Sequence, residues 1–276
     1  VNPIEFVIDG VERLALRTPT LPPATETNSY LVSGDREFVV VEPATPYPDE
    51  QRTLLSTIAA RIADGWALRG VLMTHHHGDH VGAALAVRAA FDAPLMAHRG
   101  TEARLRDRVP VDALLEEGDT LLDGRIEVLH TPGHAPGHLC LRDRNRRWLI
   151  AGDMVASVGT ILIDPEDDGD MREYLAQIAR LAEGAPGIVL PAHGAPIAEG
   201  EARLRHYLSH RLAREAKVLA AVDAGEGSTE DSLLERAYED APRALWPIAR
   251  RSLRAHLFKL REESRVRLDG GRWRHA

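Results

Sequence analysis

With a single cysteine, the chain can form no internal disulfide, and its fold does not depend on oxidation. That residue, Cys140, lies in the apolar run HLCLRD and reads as a buried structural thiol in preference to a reactive one. There is no run of about 18 apolar residues, the length needed to cross a bilayer. The opening VNPIEFVIDG has neither the basic nor the apolar segment of a secretory signal, so a cytoplasmic protein with no membrane partner is expected. Internal repeats and low-complexity tracts are also missing. At 44% hydrophobic and 28% charged residues, nothing calls for a disordered or fibrous architecture.

The 276 residues suffice for one large domain, or for a core of about 200 residues with an appendage. Charge favours the second arrangement. Residues 1–200 carry 18 Lys+Arg against 30 Asp+Glu, whereas residues 201–276 carry 16 against 12.

Hydrophobic periodicity divides the chain at the same place. VERLALRT, NSYLV and EFVVVE read as strands, and PDEQRTLLSTIAARIADG reads as a helix ending at Gly65. LRGVLMT, PLMAH, RIEVLHT, HLCLRD and WLIAGD continue as strands, DHVGAALAVRAAF and MREYLAQIARLAEG as helices. Many strands joined by hairpin-like turns favour a mixed sheet or two packed sheets within an α/β class. Beyond IVLPAHG the pattern is helical: EARLRHYLSHRLAREAKVLAAVDAG, TEDSLLERAYED and WPIARRSLRAHLFKLREE, followed by SRVRLD and RWRH around Gly270 and Gly271. Three helices and a hairpin outline a small winged-helix module, which places a catalytic domain at 1–200 and the module at 201–276. The acidic stretch DPEDDGD at 164–170 lacks the spacing of an EF-hand loop and reads as a solvated turn.

The chemistry concentrates in T-H-H-H-G-D-H at 74–80, between a strand and a helix. Alternate side chains of an extended segment face the same way, so His75 and His77 can grip one ion, while Asp79 and His80, where the chain turns helical, point toward a second. Such sites need further ligands where loops gather at strand ends. His134 follows IEVLHTPG, Asp153 follows WLIAG and His193 follows IVLPA, each just beyond an apolar strand. One ion takes His75, His77 and His134, the other Asp79, His80 and His193, with the Asp153 carboxylate between them. Imidazole and carboxylate without thiolate suit two divalent ions, zinc in preference to iron or manganese. Two cations about 3.5–4 Å apart bring a bridging water's pKa toward neutrality, giving a hydroxide that attacks a carbonyl carbon or a phosphorus, with Asp79 orienting the nucleophile as the catalytic side chain.

THHHGDH, TPGH, AGD and PAHG, in this order and spacing, resemble the metallo-β-lactamase superfamily over about residues 5–200. The resemblance implies an αβ/βα sandwich and assigns the same seven residues as metal ligands. NSYLV at 28–32 resembles the family's early strand, whereas VVVEPA places Glu42 where the family usually has an Asp-containing turn. The tail resembles the winged-helix extension of the lactamase-β-like hydrolases, a subfamily that includes an endoribonuclease acting on single-stranded RNA. A glyoxalase II helical tail and a true β-lactamase fit less well.

Of the remaining histidines, His76 reads as supporting a ligand from behind or as merely structural in preference to catalytic, His138 as either site lining or a strand cap, and His98 and His130 as satisfied core residues. The run Arg250–Arg274 holds nine Lys/Arg against three acids, yet a solvated face or a homodimer contact is favoured over nucleic acid because the first domain is acidic. The leading expectation is a hydrolase of small esters or thioesters with the tail closing one wall of the cleft. A single-stranded RNA endoribonuclease and a non-catalytic winged-helix regulator are the alternatives.

Overall fold

The computed structural model describes residues 4–222 and 226–276, so the last residues of the helix expected through Gly225 fall outside the described residues. Strands β1 (Ile4–Ile8), β2 (Val11–Arg17), β3 (Glu26–Ser33), β4 (Glu37–Val41), β5 (Ala67–Leu72), β6 (Leu95–Ala97) and β7 (Ala113–Leu114) form one sheet in sequence order. The pairs from β1 to β4 are antiparallel and those from β4 to β7 parallel. A second sheet has the order β12-β11-β10-β9-β8, from β8 (Thr120–Leu121), β9 (Ile126–His130), β10 (Leu139–Asp143), β11 (Trp148–Gly152) and β12 (Ile188–Pro191); only its β11–β12 pair is parallel.

Side-chain alternation turns these sheets into a sandwich. In β4, Val39 and Val41 pack in the cluster that contains Leu139, Leu141, Trp148 and Ile150 of the second sheet. Phe38 and Val40 face the other way, onto Leu54 and Ile58 of α1 (Pro48–Ala63) and Val87 beyond it. In β10 the intervening Cys140 faces outward among Tyr174 and Ile178. A strand buried on both faces must be apolar at every position, which is why EFVVV and WLIAG read as continuous runs. The result is the αβ/βα layering that the motifs imply.

The expected helix over 79–91 is broken into α2 (Gly78–Val81) and α3 (Ala84–Phe91). Gly82 sits so close to the 45–46 backbone that a Cβ would lie 2.6 Å from Pro46 N, and Ala83 N–H donates to Pro43 O at 2.8 Å. Tertiary contact therefore overrides the helical pattern. A short α4 (Arg99–Leu105) follows β6, and α5 (Met171–Glu183) starts at Asp170, whose carboxylate accepts from the N–H groups of Arg172 and Glu173.

The tail comprises α6 (Gly200–Ala221), α7 (Glu230–Ala237), α8 (Trp246–Glu262) and the hairpin β13 (Val266–Asp269)–β14 (Arg272–His275). Both loop glycines of the hairpin have positive φ, 54° and 75°, as two-residue loops of this kind require. Helix α6 serves two cores: Leu204 and Tyr207 join the cluster under the second sheet, Val218 and Ala221 the cluster of the tail. No helix among the described residues is long and apolar enough to cross a membrane.

Two outcomes follow from this packing. Trp273 is fully buried in the tail cluster, so Trp273→Ala should cost about 3–5 kcal/mol in urea unfolding; an unchanged midpoint would mean that the hairpin adds no packing. Burial pushes the Cys140 thiol up to about 12, so at neutral pH it stays protonated, and a disulfide reagent should modify it only after unfolding.

Candidate metal centre

Strand ends build the site. Thr74–His80 follows β5, His134 lies in the turn after β9, Asp153 follows β11 and His193 follows β12. The two sheets are pinned at this edge. Leu139 N–H donates to Thr74 O at 2.9 Å, Asn28 N–H to Ala192 O at 2.8 Å, and the Tyr30 hydroxyl to Pro191 O at 2.7 Å.

All seven predicted residues converge. His75 Nε2 lies 2.9 Å from His77 Nδ1, and His134 Nε2 lies 3.3 Å and 3.0 Å from those two atoms. Asp79, His80 and His193 form a second group, with both imidazole Nε2 atoms 3.7 Å from the Asp79 carboxylate. Asp153 stands between the groups, its oxygens 3.5 Å from His134, 3.6 Å from His80 and 3.3 Å from His193.

The test of fit is where the ring protons go. His134 Nδ1 lies 2.9 Å from Leu162 O and His193 Nδ1 lies 3.0 Å from Glu26 O; a carbonyl only accepts, so both rings donate there and turn a lone pair inward at Nε2. His80 Nδ1 donates to the Glu42 carboxylate at 3.1 Å. Thr74 donates its hydroxyl to the same carboxylate and so accepts from His75 Nδ1 at 3.0 Å. His77 is reversed: Nε2 donates to Asp167 at 2.9 Å, leaving Nδ1 inward. Five lone pairs thus face the interior, and His80 Nε2 and Asp153 Oδ1 are buried without a hydrogen-bond partner. Ring nitrogens bound at about 2.0–2.1 Å around one tetrahedral ion stand roughly 3.3 Å apart, close to the spacing of the first group. The residues fit divalent cations.

Electrostatics agree. Burial drives the His75 ring well below the usual histidine range and His134 to about 4, which favours the neutral form of both. Burial also opposes charge on His80, but Asp79, Glu42 and Asp153 outweigh it and raise its pKa. Burial likewise opposes charge on Asp153, yet His193 and His80 hold its pKa well below the carboxylate range.

Two supporting residues were not resolved by sequence alone. Glu42 takes a left-handed φ of 60°, unfavourable for glutamate, and is fully buried. His138 donates to Thr131 Oγ1 at 2.7 Å and accepts the Asp153 N–H at 3.0 Å, so it positions the Asp153 backbone. His76 stays outside both groups, its Nε2 3.8 Å from Asp167. His98 and His130 are half-buried and stacked at 4.0 Å; both are hydrogen-bonded, though not core residues.

Residues 22–193 match the family model described as Metallo-beta-lactamase superfamily. The chain belongs to this superfamily. Residues 229–273 match the Beta-lactamase associated winged helix domain, so the superfamily domain is followed by that module. A Beta-lactamase-like protein 2 homolog of Drosophila melanogaster is 27% identical over 88% of this chain and 85% of its own length. An atrochrysone carboxyl ACP thioesterase of Aspergillus chevalieri is 28% identical over 90% of this chain and 80% of its own. A beta-lactamase domain protein from Burkholderia ambifaria superposes over 100% of this chain and 94% of its own with a TM-score of 0.85 at 23% identity, sharing the fold. Members of this superfamily are generally hydrolases that bind divalent metals.

Glu42→Gln keeps an acceptor behind His80 but removes the charge. It should weaken cation binding at the Asp79–His80–His193 group by about 10-fold or more in competition with a chromophoric chelator; wild-type affinity would show that His80 needs no carboxylate behind it.

Proposed function

We propose that this chain is a two-metal hydrolase of small thioesters or esters, with His75, His77 and His134 holding one cation, Asp79, His80 and His193 the other, and Asp153 between them. The observation that carries this reading is the cavity over the two groups. It has a volume of about 270 Å³ and is floored by His77, Asp79, His134, Asp153 and His193. One wall is the loop Pro19–Ala24, another is 156–162, and Ile248 and Arg251 of α8 close a third side. A short polar floor under largely apolar walls suits an apolar acyl group carried to a reactive carbonyl. The relative named as an ACP thioesterase supports the same bond type.

Divalent cations held by these residues would supply an activated water and polarisation of the carbonyl oxygen. The Asp79 carboxylate orients that water and accepts its proton at a carboxylate oxygen. Water oxygen bonds to the acyl carbon, the carbon–sulfur bond breaks, and the thiolate leaves with the bond pair. Asp153, whose oxygens lie 3.3 Å from His193 and 3.6 Å from His80, would contribute a carboxylate between the two cations. Leu21 and Val158, both exposed, form an apolar rim where the acyl chain enters.

RNA cleavage is the weaker reading, since the arginines of α8 nearest the cleft already have carboxylate partners: Arg250 with Asp231, Arg251 with Asp164 at 3.1 Å, and Arg254 with Glu230 at 2.9 Å.

Elemental analysis of the purified chain should find about two divalent ions, zinc in preference to iron or manganese. Asp79→Ala should retain fewer and lose about 100-fold or more in thioester turnover. Cleavage of labelled single-stranded RNA, lost in the same variant while thioesters stay intact, would reverse the preference. A chain that takes up no metal and hydrolyses nothing after zinc or manganese is supplied would favour the non-catalytic regulator.

A further inference from the structure

The acidic stretch 164–170 is a largely exposed turn, as its sequence suggests, and each of its five acids has a partner. Asp164 pairs with Arg251 at 3.1 Å and accepts Glu166 N–H at 3.0 Å; Glu166 pairs with Arg254. Asp167 accepts from His77, Asp168 accepts from Arg104 Nε at 2.9 Å, and Asp170 caps α5. The turn is closed on itself, with Asp167 N–H and Gly169 N–H both donating to Asp164 O at 3.0 Å and 2.7 Å.

We infer that Asp167 is a positioning residue for His77, and that the winged-helix module and α4 hold it in place through Arg251, Arg254 and Arg104. The inference rests on the proposed role of His77 as a metal ligand. Four of the five imidazoles give their outward proton to a buried side chain or a backbone carbonyl. His77 alone gives its proton to an exposed side chain, and His77 alone turns Nδ1 inward. A carboxylate behind a metal-binding imidazole fixes the tautomer and ring angle and raises basicity. An isolated exposed carboxylate would do this poorly, because solvent competes and side-chain freedom is lost.

Anchors from two other elements remove that freedom. Arg104 comes from α4, and Arg251 and Arg254 from α8; Arg254 is also tied to Glu230 in α7 at 2.9 Å, which fastens the turn to the tail's own packing. The tail thereby supports the first metal group at a distance, in addition to walling the cavity.

Cation affinity of the full chain, measured with Zn²⁺ against a chromophoric chelator and with the absorption of Co²⁺, tests this. Asp167→Ala should weaken one of the two cations by about 10- to 100-fold and leave the other unchanged, while Asp167→Asn, which retains an acceptor oxygen, should recover part of the loss. Arg104→Gln combined with Arg254→Gln alters neither a proposed ligand nor the cavity lining, and should weaken the same cation by about 2- to 10-fold. A purely structural role would lower thermal stability and both affinities together, with Asn no better than Ala. Affinities indistinguishable from wild type in Asp167→Ala, or in the arginine pair should Asp167→Ala fail to fold, would overturn the inference. A wild-type chain that binds no cation would overturn the underlying reading first, and the inference with it.

Discussion

Neutral imidazoles crowd around a common centre only if each has somewhere else to put its proton. Here the acceptors are Glu42 for His80, Thr74 for His75, Leu162 O for His134, Glu26 O for His193 and Asp167 for His77. They come from the first sheet, from the loops after β4, β5 and β11, and from a turn gripped by the tail. No local segment could supply this set. The sandwich is therefore part of the site's chemistry, because packing two sheets face to face brings these acceptors together at one edge and presets the tautomers before any cation arrives.

That presetting has a cost, concentrated at Glu42. A fully buried carboxylate in a left-handed conformation opposes folding by about 1–3 kcal/mol through backbone strain alone, beyond the penalty of burying its charge. Thr74 and His80 offset it by donating to the same oxygen. An imbalance remains, because Asp79, Glu42 and Asp153 surround the one His80 ring. A divalent cation relieves this negative charge better than one proton can, so cation binding and folding stability are linked in the same direction.

Sequence legibility follows from this division. The candidate ligand positions are readable because they lie within a short turn beyond apolar runs, and the continuous apolar runs in EFVVV and WLIAG show which strands are buried on both faces. The layering and the winged-helix module follow from the same pattern, as the family match bears out. Elements too short to express a period escaped: β7 and β8 have two residues each and α4 has seven. The break at Gly82 was hidden because its cause lies at Thr45 and Pro46, across a long sequence separation. Sequence singled out Glu42 and His138, but not the partners that give them their roles, and it missed Asp167 altogether, since a hydrogen bond between distant residues leaves no spacing signal.

Charge segregation along the chain also has a structural outcome. An acidic front and a basic tail suggest two surfaces, one of them free to meet a polyanion. Instead, several of the opposite charges meet each other at the cleft, where Arg251 and Arg254 of α8 face Asp164 and Glu166. Exposed pairs of this kind contribute only about 0–1 kcal/mol each, too little to hold two domains together. Their effect is geometric. They leave α8 with its apolar Ile248 toward the cavity and Arg250, Arg251 and Arg254 occupied, so a phosphate chain meeting these arginines would have to displace carboxylates already in place, whereas an acyl group would displace only water from Ile248, Leu21 and Val158.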